Sequence, residues 1–89
     1  MTDEQMIKDI LAELKRARKK FPENRHQLTA FNEEVGELNQ ALLQCQYGGK
    51  GHNDVYMEAV QAAAMAIRVG VEGDSTFNYN SADVHQRKF

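Results

Sequence analysis

The chain of 89 residues contains one cysteine, one proline and no long apolar run. A lone cysteine, Cys45, cannot form a disulfide within the chain. A membrane-spanning helix needs about 20 predominantly apolar residues in succession, and no segment provides them. The acidic start, residues 2–5, is unlike a signal peptide. These absences predict a cytoplasmic protein that has no membrane partner.

The chain also lacks an excess of either charge, with 11 Lys and Arg against 13 Asp and Glu and a net charge of −2. Proteins dedicated to nucleic acid normally carry a basic surplus, so nucleic acid is not an expected partner. Pro-rich linkers, internal repeats, low-complexity tracts and strand-like alternation are absent as well. We therefore expect one small domain, residues 1–89, which would gain additional core by oligomerisation.

What the sequence does contain is helical periodicity in three segments, at about 3–20, 26–46 and 53–71. The first opens on a capping box at Thr2 and stops at Phe21-Pro22. The third is expected to begin with Asn53 or Asp54 as its N-cap. After residue 74 the chain is polar, and this tail, 74–89, is expected to hold at most a short helix from about Ser81.

Apolar residues in the second and third segments recur at alternating intervals of three and four, the spacing of a helix-packing seam. The second segment places Leu28, Phe31, Val35, Leu38, Leu42 and Cys45 on its seam, and the third places Met57, Val60, Ala64, Ile67 and Val71. Cys45 is expected to fill space there. Alanines beside the third seam would let another helix approach closely. The predicted fold is all-α, with antiparallel helices that complete a four-helix-type bundle by oligomerisation.

Carboxylates stand beside both seams. Residues three apart share a helix face, so Glu34 and Glu37 point the same way, as do Glu58 and Gln61. Two helices that bring these faces together would concentrate three carboxylates, and such a cluster calls for a cation to neutralise it. The spacing therefore favours a hard divalent metal, Mg²⁺ or Mn²⁺, with Glu33 placed to orient a water molecule. A metal held in this way can polarise a phosphoryl oxygen and help to generate hydroxide.

Two cations are candidate phosphate contacts, and each has a plainer interpretation. Arg68 lies on the stripe of Glu58, but it could instead form an exposed pair with Glu72 at i,i+4. Lys50 lies in a glycine loop, where it could be mobile surface. That loop lacks the G-K-[ST] ending of a Walker A motif. The basic run 15–20 is explained by a solvated helix end that favours the helix dipole, with attraction of phosphate as the alternative.

Taken together, segment 33–38 (E-E-V-G-E-L) and segment 58–68 (E-A-V-Q-A-A-A-M-A-I-R) resemble the MazG-like branch of the all-α nucleoside triphosphate pyrophosphohydrolases. The resemblance covers about residues 28–71 and is strongest to the short phage and mobile-cassette members. It implies protomers that pair around a four-helix core. It also implies hydrolysis between the α- and β-phosphates, which gives a nucleoside monophosphate and pyrophosphate.

The family's first metal motif, E-x-x-E, corresponds to Glu34 and Glu37, and its preceding acidic position to Glu33. The second motif, E-x-x-D, corresponds to Glu58 and Gln61. Gln61 offers a carbonyl oxygen without the negative charge of the usual aspartate. We therefore expect one firmly bound metal rather than two.

These observations predict a Mg²⁺-dependent nucleoside or deoxynucleoside triphosphate pyrophosphohydrolase that acts as a homodimer or a dimer of dimers in nucleotide-pool house-cleaning. Glu33 and Glu34 are the expected catalytic residues. The expected metal ligands are Glu34, Glu37, Glu58 and Gln61, and the expected substrate contacts are Arg68 and Lys50. Two alternatives remain open: a helical module that binds nucleotide or metal without turnover, and a purely structural assembly protein whose glutamates are solvated surface.

Overall fold

The structure, a computed structural model, describes residues 1–81. Helix α1 spans Asp3–Lys20, α2 spans Gln27–Gln46 and α3 spans His52–Glu72; one turn of 3-10 helix follows at Ser75–Phe77. No strand occurs within these 81 residues, so the all-α prediction is confirmed. The four-helix bundle formed by oligomerisation remains a prediction. The predicted final helix from about Ser81 falls on residues 82–89, which lie outside the described part of the chain.

The beginning of α1 follows the sequence closely. The Thr2 hydroxyl accepts a hydrogen bond from the Gln5 amide, and the Gln5 side chain accepts one from the Thr2 amide. This confirms the capping box, which satisfies two amides that have no partner inside the helix. At the other end, Phe21 closes α1 through a hydrogen bond from its amide to the Ala17 carbonyl, and Pro22 prevents continuation.

The predicted N-cap of α3 was wrong. Gly51, not Asn53 or Asp54, precedes the first helical residue, His52. Asp54 still stabilises this end, because its carboxylate accepts a hydrogen bond from the Gly51 amide at 3.0 Å. The acidic side chain therefore acts from inside the first turn, where it also complements the helix dipole.

Helix α3 is the centre of the molecule, since both α1 and α2 pack against it. The fully buried apolar residues of the described chain are mostly small: Leu14, Ala17, Ala41, Val60, Ala62 and Ala64. Alanine lets helix axes approach closely, so the expectation that small residues beside the third seam allow close approach agrees with the burial of Ala62. Tyr56 adds a polar link across the α1–α3 contact, because its hydroxyl donates to the Asp9 carboxylate.

The apolar seams of α2 and α3 are only partly covered. Val60 and Ala64 are buried, whereas the exposed fraction is 50% for Leu42, 51% for Met57 and 60% for Val71. One chain with three helices covers α2 on one side only, so it cannot enclose both seams, which extend over about four to five turns. Burial of the remaining seam residues depends on the predicted oligomerisation.

A buried polar cluster joins α3 to the loop between α1 and α2. Arg68 is 2% exposed. Its Nη2 donates to Glu72 Oε1 at 2.9 Å and to the backbone carbonyl oxygens of Phe21 at 2.7 Å and Glu23 at 3.3 Å. The i,i+4 pairing with Glu72 is confirmed, but the expected exposure was wrong: the guanidinium lies under the loop and holds it down.

Glu72 accepts the other hydrogen bonds of this buried polar cluster. Its carboxylate accepts from Arg18 of α1 at 2.8 Å and from the Gln27 side chain of α2 at 2.9 Å, while its backbone carbonyl accepts from the Asn24 side chain. Burial alone would raise the pKa of Glu72, but the hydrogen bonds from Arg68 and Arg18 outweigh burial and hold the pKa below its ordinary value. A single carboxylate thus contacts residues of all three helices.

Helix α2 is capped by a residue from the far end of the chain. His26 precedes it with a left-handed φ of 59° and makes no side-chain cap. Asp74 supplies the missing acceptor, because its Oδ2 accepts from the Leu28 amide at 2.7 Å, and Thr76 Oγ1 accepts from the His26 amide at 2.8 Å. The Asp74 side chain is almost fully buried by this contact.

Gly73 makes this return possible. Its φ is 75°, and a Cβ at this position would lie 2.4 Å from the Tyr79 carbonyl oxygen. Only glycine accepts both conditions without strain. The turn brings Asp74 under the start of α2 and forms a single bridge between Asp74 and Tyr79. The segment 73–79, for which no role could be predicted from the sequence, therefore closes the fold.

We predict that Arg68→Met lowers the free energy of unfolding by about 2–4 kcal/mol, because it leaves a largely buried carboxylate and two loop carbonyl oxygens without their donor. Arg18→Met is the matched control. It removes a partner of the same Glu72 from a side chain that is 42% exposed, and should cost less than about 1 kcal/mol. Urea unfolding followed by circular dichroism measures both. Equal losses for the two variants would contradict the role assigned to Arg68.

Candidate metal centre

The three predicted carboxylate ligands converge. Glu34 and Glu37 of α2 and Glu58 of α3 each present an oxygen, and these oxygens lie within 4.8 Å of one another. Within residues 1–81 this is the one group of three or more acidic, His or Cys side chains arranged to hold a metal ion. The faces of α2 and α3 that carry these carboxylates therefore meet, as their spacing predicts.

The convergence follows from the antiparallel arrangement of α2 and α3. The five-residue loop, 47–51, reverses the chain, so residues further along α2 meet residues earlier in α3. Accordingly Glu37 lies beside Glu58, and Glu34 lies beside Gln61. Ala41 of α2 and Val60 and Ala64 of α3 are buried in the core of the molecule. Glu34 and Glu58 are half-buried, whereas Glu37 is exposed and opens the group to solvent.

The cluster carries an electrostatic penalty when no cation neutralises it. Burial raises the pKa of Glu34 to about 7, and the negative charges of Glu37 and Glu58 add to the shift. Burial also raises the pKa of Glu58, with a further contribution from hydrogen bonding to Glu37. A proton or a metal cation relieves this repulsion.

Gln61 lies beside two of the three carboxylates. Hydrogen bonding orients its amide so that the nitrogen lies 3.2 Å from Glu34 Oε2 and 3.2 Å from Glu58 Oε2, and can donate to both. The side chain thus bridges the two half-buried carboxylates. Rotating the amide by half a turn would present its carbonyl oxygen to the same position.

Lys50 reaches the cluster through its charge. The charge of the Lys50 ammonium group favours the ionised carboxylate of Glu58 and so acts against burial, which keeps the pKa of Glu58 raised on balance. Lys50 itself is exposed. Of the two predicted phosphate contacts, Lys50 thus acts on the carboxylates electrostatically, whereas the guanidinium of Arg68 is occupied by Glu72 and by two loop carbonyl oxygens.

A cleft of ≈ 370 Å³ adjoins the carboxylates. Glu33, Glu34 and Gln61 lie along it, and α1 supplies the opposite wall. Glu33 is exposed and reaches the cleft without joining the metal-binding group. This position agrees with the expectation that Glu33 stands one place aside from the ligands.

Sequence reasoning missed what α1 contributes. Glu13 and Arg16 both line the cleft, and the two side chains form an ion pair with each other. The negative charge of Glu13 raises the pKa of Glu34 further, so Glu13 is a fourth carboxylate close to the cluster. The basic run 15–20 was visible in the sequence, but nothing in it indicates which of its cations faces α2.

Comparisons with models of protein families, with curated proteins and with solved structures found no match to this chain. Within residues 1–81, no helix is both long enough and apolar enough to cross a bilayer.

The raised pKa of Glu34 predicts a pH dependence of stability in the presence of EDTA. The folded protein keeps a proton on Glu34 up to about pH 7, whereas the unfolded chain releases it near the ordinary value of 4.5. The folded state therefore binds more protons between these values, and stability contributed by this group falls as pH rises through that window. Glu34→Gln, which keeps the shape and removes the charge, should not show this loss.

Between pH 4.5 and pH 8, the free energy of unfolding of the wild type should fall by roughly 1–2 kcal/mol relative to that of Glu34→Gln, after allowance for solvent screening. Urea unfolding at a series of pH values measures the difference. A constant difference between the two proteins across this range would show that Glu34 does not experience the described repulsion.

Proposed function

We propose that this protein is a Mg²⁺-dependent pyrophosphohydrolase of nucleoside or deoxynucleoside triphosphates, as the resemblance to the MazG-like enzymes implies. The observation that carries the proposal is the convergence of Glu34, Glu37 and Glu58 from two helices beside a cleft. A role in clearing nucleotides from the cellular pool would place the protein in the cytoplasm. Mn²⁺ is expected to replace Mg²⁺, since both accept oxygen ligands.

The donor set fits this metal. Mg²⁺ binds oxygen at 2.0–2.1 Å, so two oxygens on one octahedral ion lie about 3.0–4.2 Å apart. The three carboxylate oxygens lie within 4.8 Å of one another, so small side-chain rotations would bring them into that range. Their hard, negatively charged oxygens suit Mg²⁺, which also keeps water ligands and binds substrate phosphates. When bound, the metal would neutralise phosphate charge and activate water.

The chain's own residues would have separate tasks. Glu34, Glu37 and Glu58 would bind the metal, and Glu33, along the cleft, would orient the attacking water and accept its proton. Water adds to the α-phosphorus as the bond from this phosphorus to the α–β bridging oxygen breaks. Pyrophosphate leaves with the electron pair of that bond, and the nucleoside monophosphate remains.

The structure supports the two predicted phosphate contacts, Lys50 and Arg68, unequally. Lys50 is exposed and lies near Glu58, where it could reach a phosphate on the bound metal. Arg68 is occupied by Glu72 and by two backbone carbonyl oxygens, so its binding of phosphate would compete with bonds that hold the loop. We therefore favour Lys50 over Arg68 as a substrate contact.

A homodimer is part of the proposal. Leu42, Met57 and Val71 belong to the predicted seams, yet each is half exposed or more in the single chain. A second copy that packs on these residues would complete a four-helix core and bury them. A dimer of dimers would repeat the same arrangement.

Gln61 supports a second candidate function, a module that binds nucleotide or metal without turnover. Its amide nitrogen already satisfies Glu34 and Glu58, and it adds no negative charge to the group. A site with three carboxylates binds one metal more readily than two. If two metals are required for hydrolysis, this chain would bind its ligand and release no product.

We expect the purified protein with Mg²⁺ to release pyrophosphate from at least one member of a panel of ribo- and deoxyribonucleoside triphosphates. Glu34→Gln is the matched control, since it removes a ligand charge with little change of shape and should reduce the rate at least a hundredfold. Calorimetry on the same panel separates the two candidates. Binding without release of pyrophosphate would select the non-catalytic module.

We further expect Mg²⁺ or Mn²⁺ to raise the melting temperature of the wild-type protein by at least about 4 °C at a concentration well above the dissociation constant. Glu37→Ala should lose most of this increase, and Glu33→Gln, which changes a cleft carboxylate outside the metal-binding group, should keep it. If wild type gains nothing from either metal, the glutamates are solvated surface and the structural alternative is favoured.

A further inference from the structure

Three arginines line the cleft beside the carboxylates: Arg16, Arg25 and Arg68. A polyphosphate chain that enters this cleft brings several negative charges next to Glu13, Glu33 and Glu34. One metal ion cannot balance all of these charges, so a cationic side chain that is free to reorganise is needed along the cleft. The hydrogen bonds and ion pairs of each arginine determine which of them can bind a phosphate group.

Two of the three are already engaged. Arg68 holds Glu72 and the carbonyl oxygens of Phe21 and Glu23. Arg16 donates through Nε and Nη2 to the two carboxylate oxygens of Glu13, a two-point pairing that satisfies the planar guanidinium. Transferring either one to a substrate would leave a carboxylate or a carbonyl group without its donor.

Arg25 is different. Within residues 1–81 its ion pair is with Glu23 at 4.0 Å, the limit for such a contact, and the two side chains are 66% and 75% exposed. An exposed pair at this distance contributes little, so the guanidinium can leave it at small cost. The backbone that carries Arg25 is nevertheless well placed, because Arg68 and Asn24 fix the loop on one side and Thr76 receives the His26 amide on the other. The Arg25 side chain can therefore change conformation, while the backbone that carries it is fixed.

The N-terminus of α2, the other cationic feature near this loop, is closed to a ligand. The Asp74 carboxylate already accepts from the Leu28 amide at 2.7 Å. An incoming phosphate would have to displace a buried carboxylate from this position. The anion therefore has to be received by a side chain.

We propose that Arg25, in the loop before α2, is the polyphosphate-binding residue of the cleft and receives phosphate oxygens of a nucleoside triphosphate. This inference rests on the proposed function for the identity of the substrate. Its chemistry is a bidentate guanidinium–phosphate contact, for which arginine suits better than lysine.

The test uses Mg²⁺ and inorganic tripolyphosphate, which presents the phosphates without base or sugar, and measures binding by calorimetry. Arg25→Gln should weaken binding by roughly 5- to 20-fold, the loss expected for one hydrogen-bonded charge pair at a partly exposed site. Arg25→Lys should recover part of this loss. Lys19→Gln is the matched control: it removes the same charge from an exposed residue of α1 that does not line the cleft, and should change the affinity by less than about twofold. Arg25 is exposed, so the variants should fold, as circular dichroism can verify.

Equal effects of Arg25→Gln and Lys19→Gln would overturn the inference, because they would show general charge attraction alone. Absence of tripolyphosphate binding by the wild-type protein would also overturn it. Failure of the proposed function gives another pattern. Binding that depends on Arg25, with no pyrophosphate released from any nucleotide, would refute hydrolysis while leaving Arg25 as the polyphosphate contact.

Discussion

The fold depends on the buried contact between Arg68 and Glu72. These two side chains lie one turn apart on α3, and between them they bind α1, α2 and the loop that joins these helices. A core made largely of alanine buries little apolar surface per residue, so it cannot specify the path of a six-residue loop. Directional hydrogen bonds do so here, and the loop they position is one wall of the cleft.

The candidate metal centre has the opposite character. Its carboxylates gather where α2 and α3 meet, and burial, with the negative charges of Glu37 and Glu58, raises the pKa of Glu34 to about 7. The Arg68–Glu72 cluster stabilises the fold because its charges are matched, whereas the Glu34 group is held in an unfavourable state by the helices around it. In the proposed metal site, a bound cation would relieve this repulsion.

Local features could be predicted from the sequence, whereas contacts between residues far apart in the chain could not. Helical periodicity and the capping box at Thr2 are encoded within a few residues, so the three helices and the start of α1 could be derived. Glu34, Glu37 and Glu58 could be brought together because a hairpin of two helices has few possible registers. Glu13 could not be placed near them, because its position depends on how α1 packs on α3. The capping of α2 by Asp74 was equally hidden, since 46 residues separate Asp74 from Leu28.

That last contact has a consequence for the order in which the chain can fold. The first turn of α2 has no cap of its own, and an uncapped helix start frays. Its acceptor becomes available only when α3 is complete and Gly73 has turned the chain back. During synthesis, α2 and the Glu34 region would leave the ribosome well before Asp74 does. The cleft loop can therefore reach its final form only after α3 and residues 73–76 have emerged and folded back.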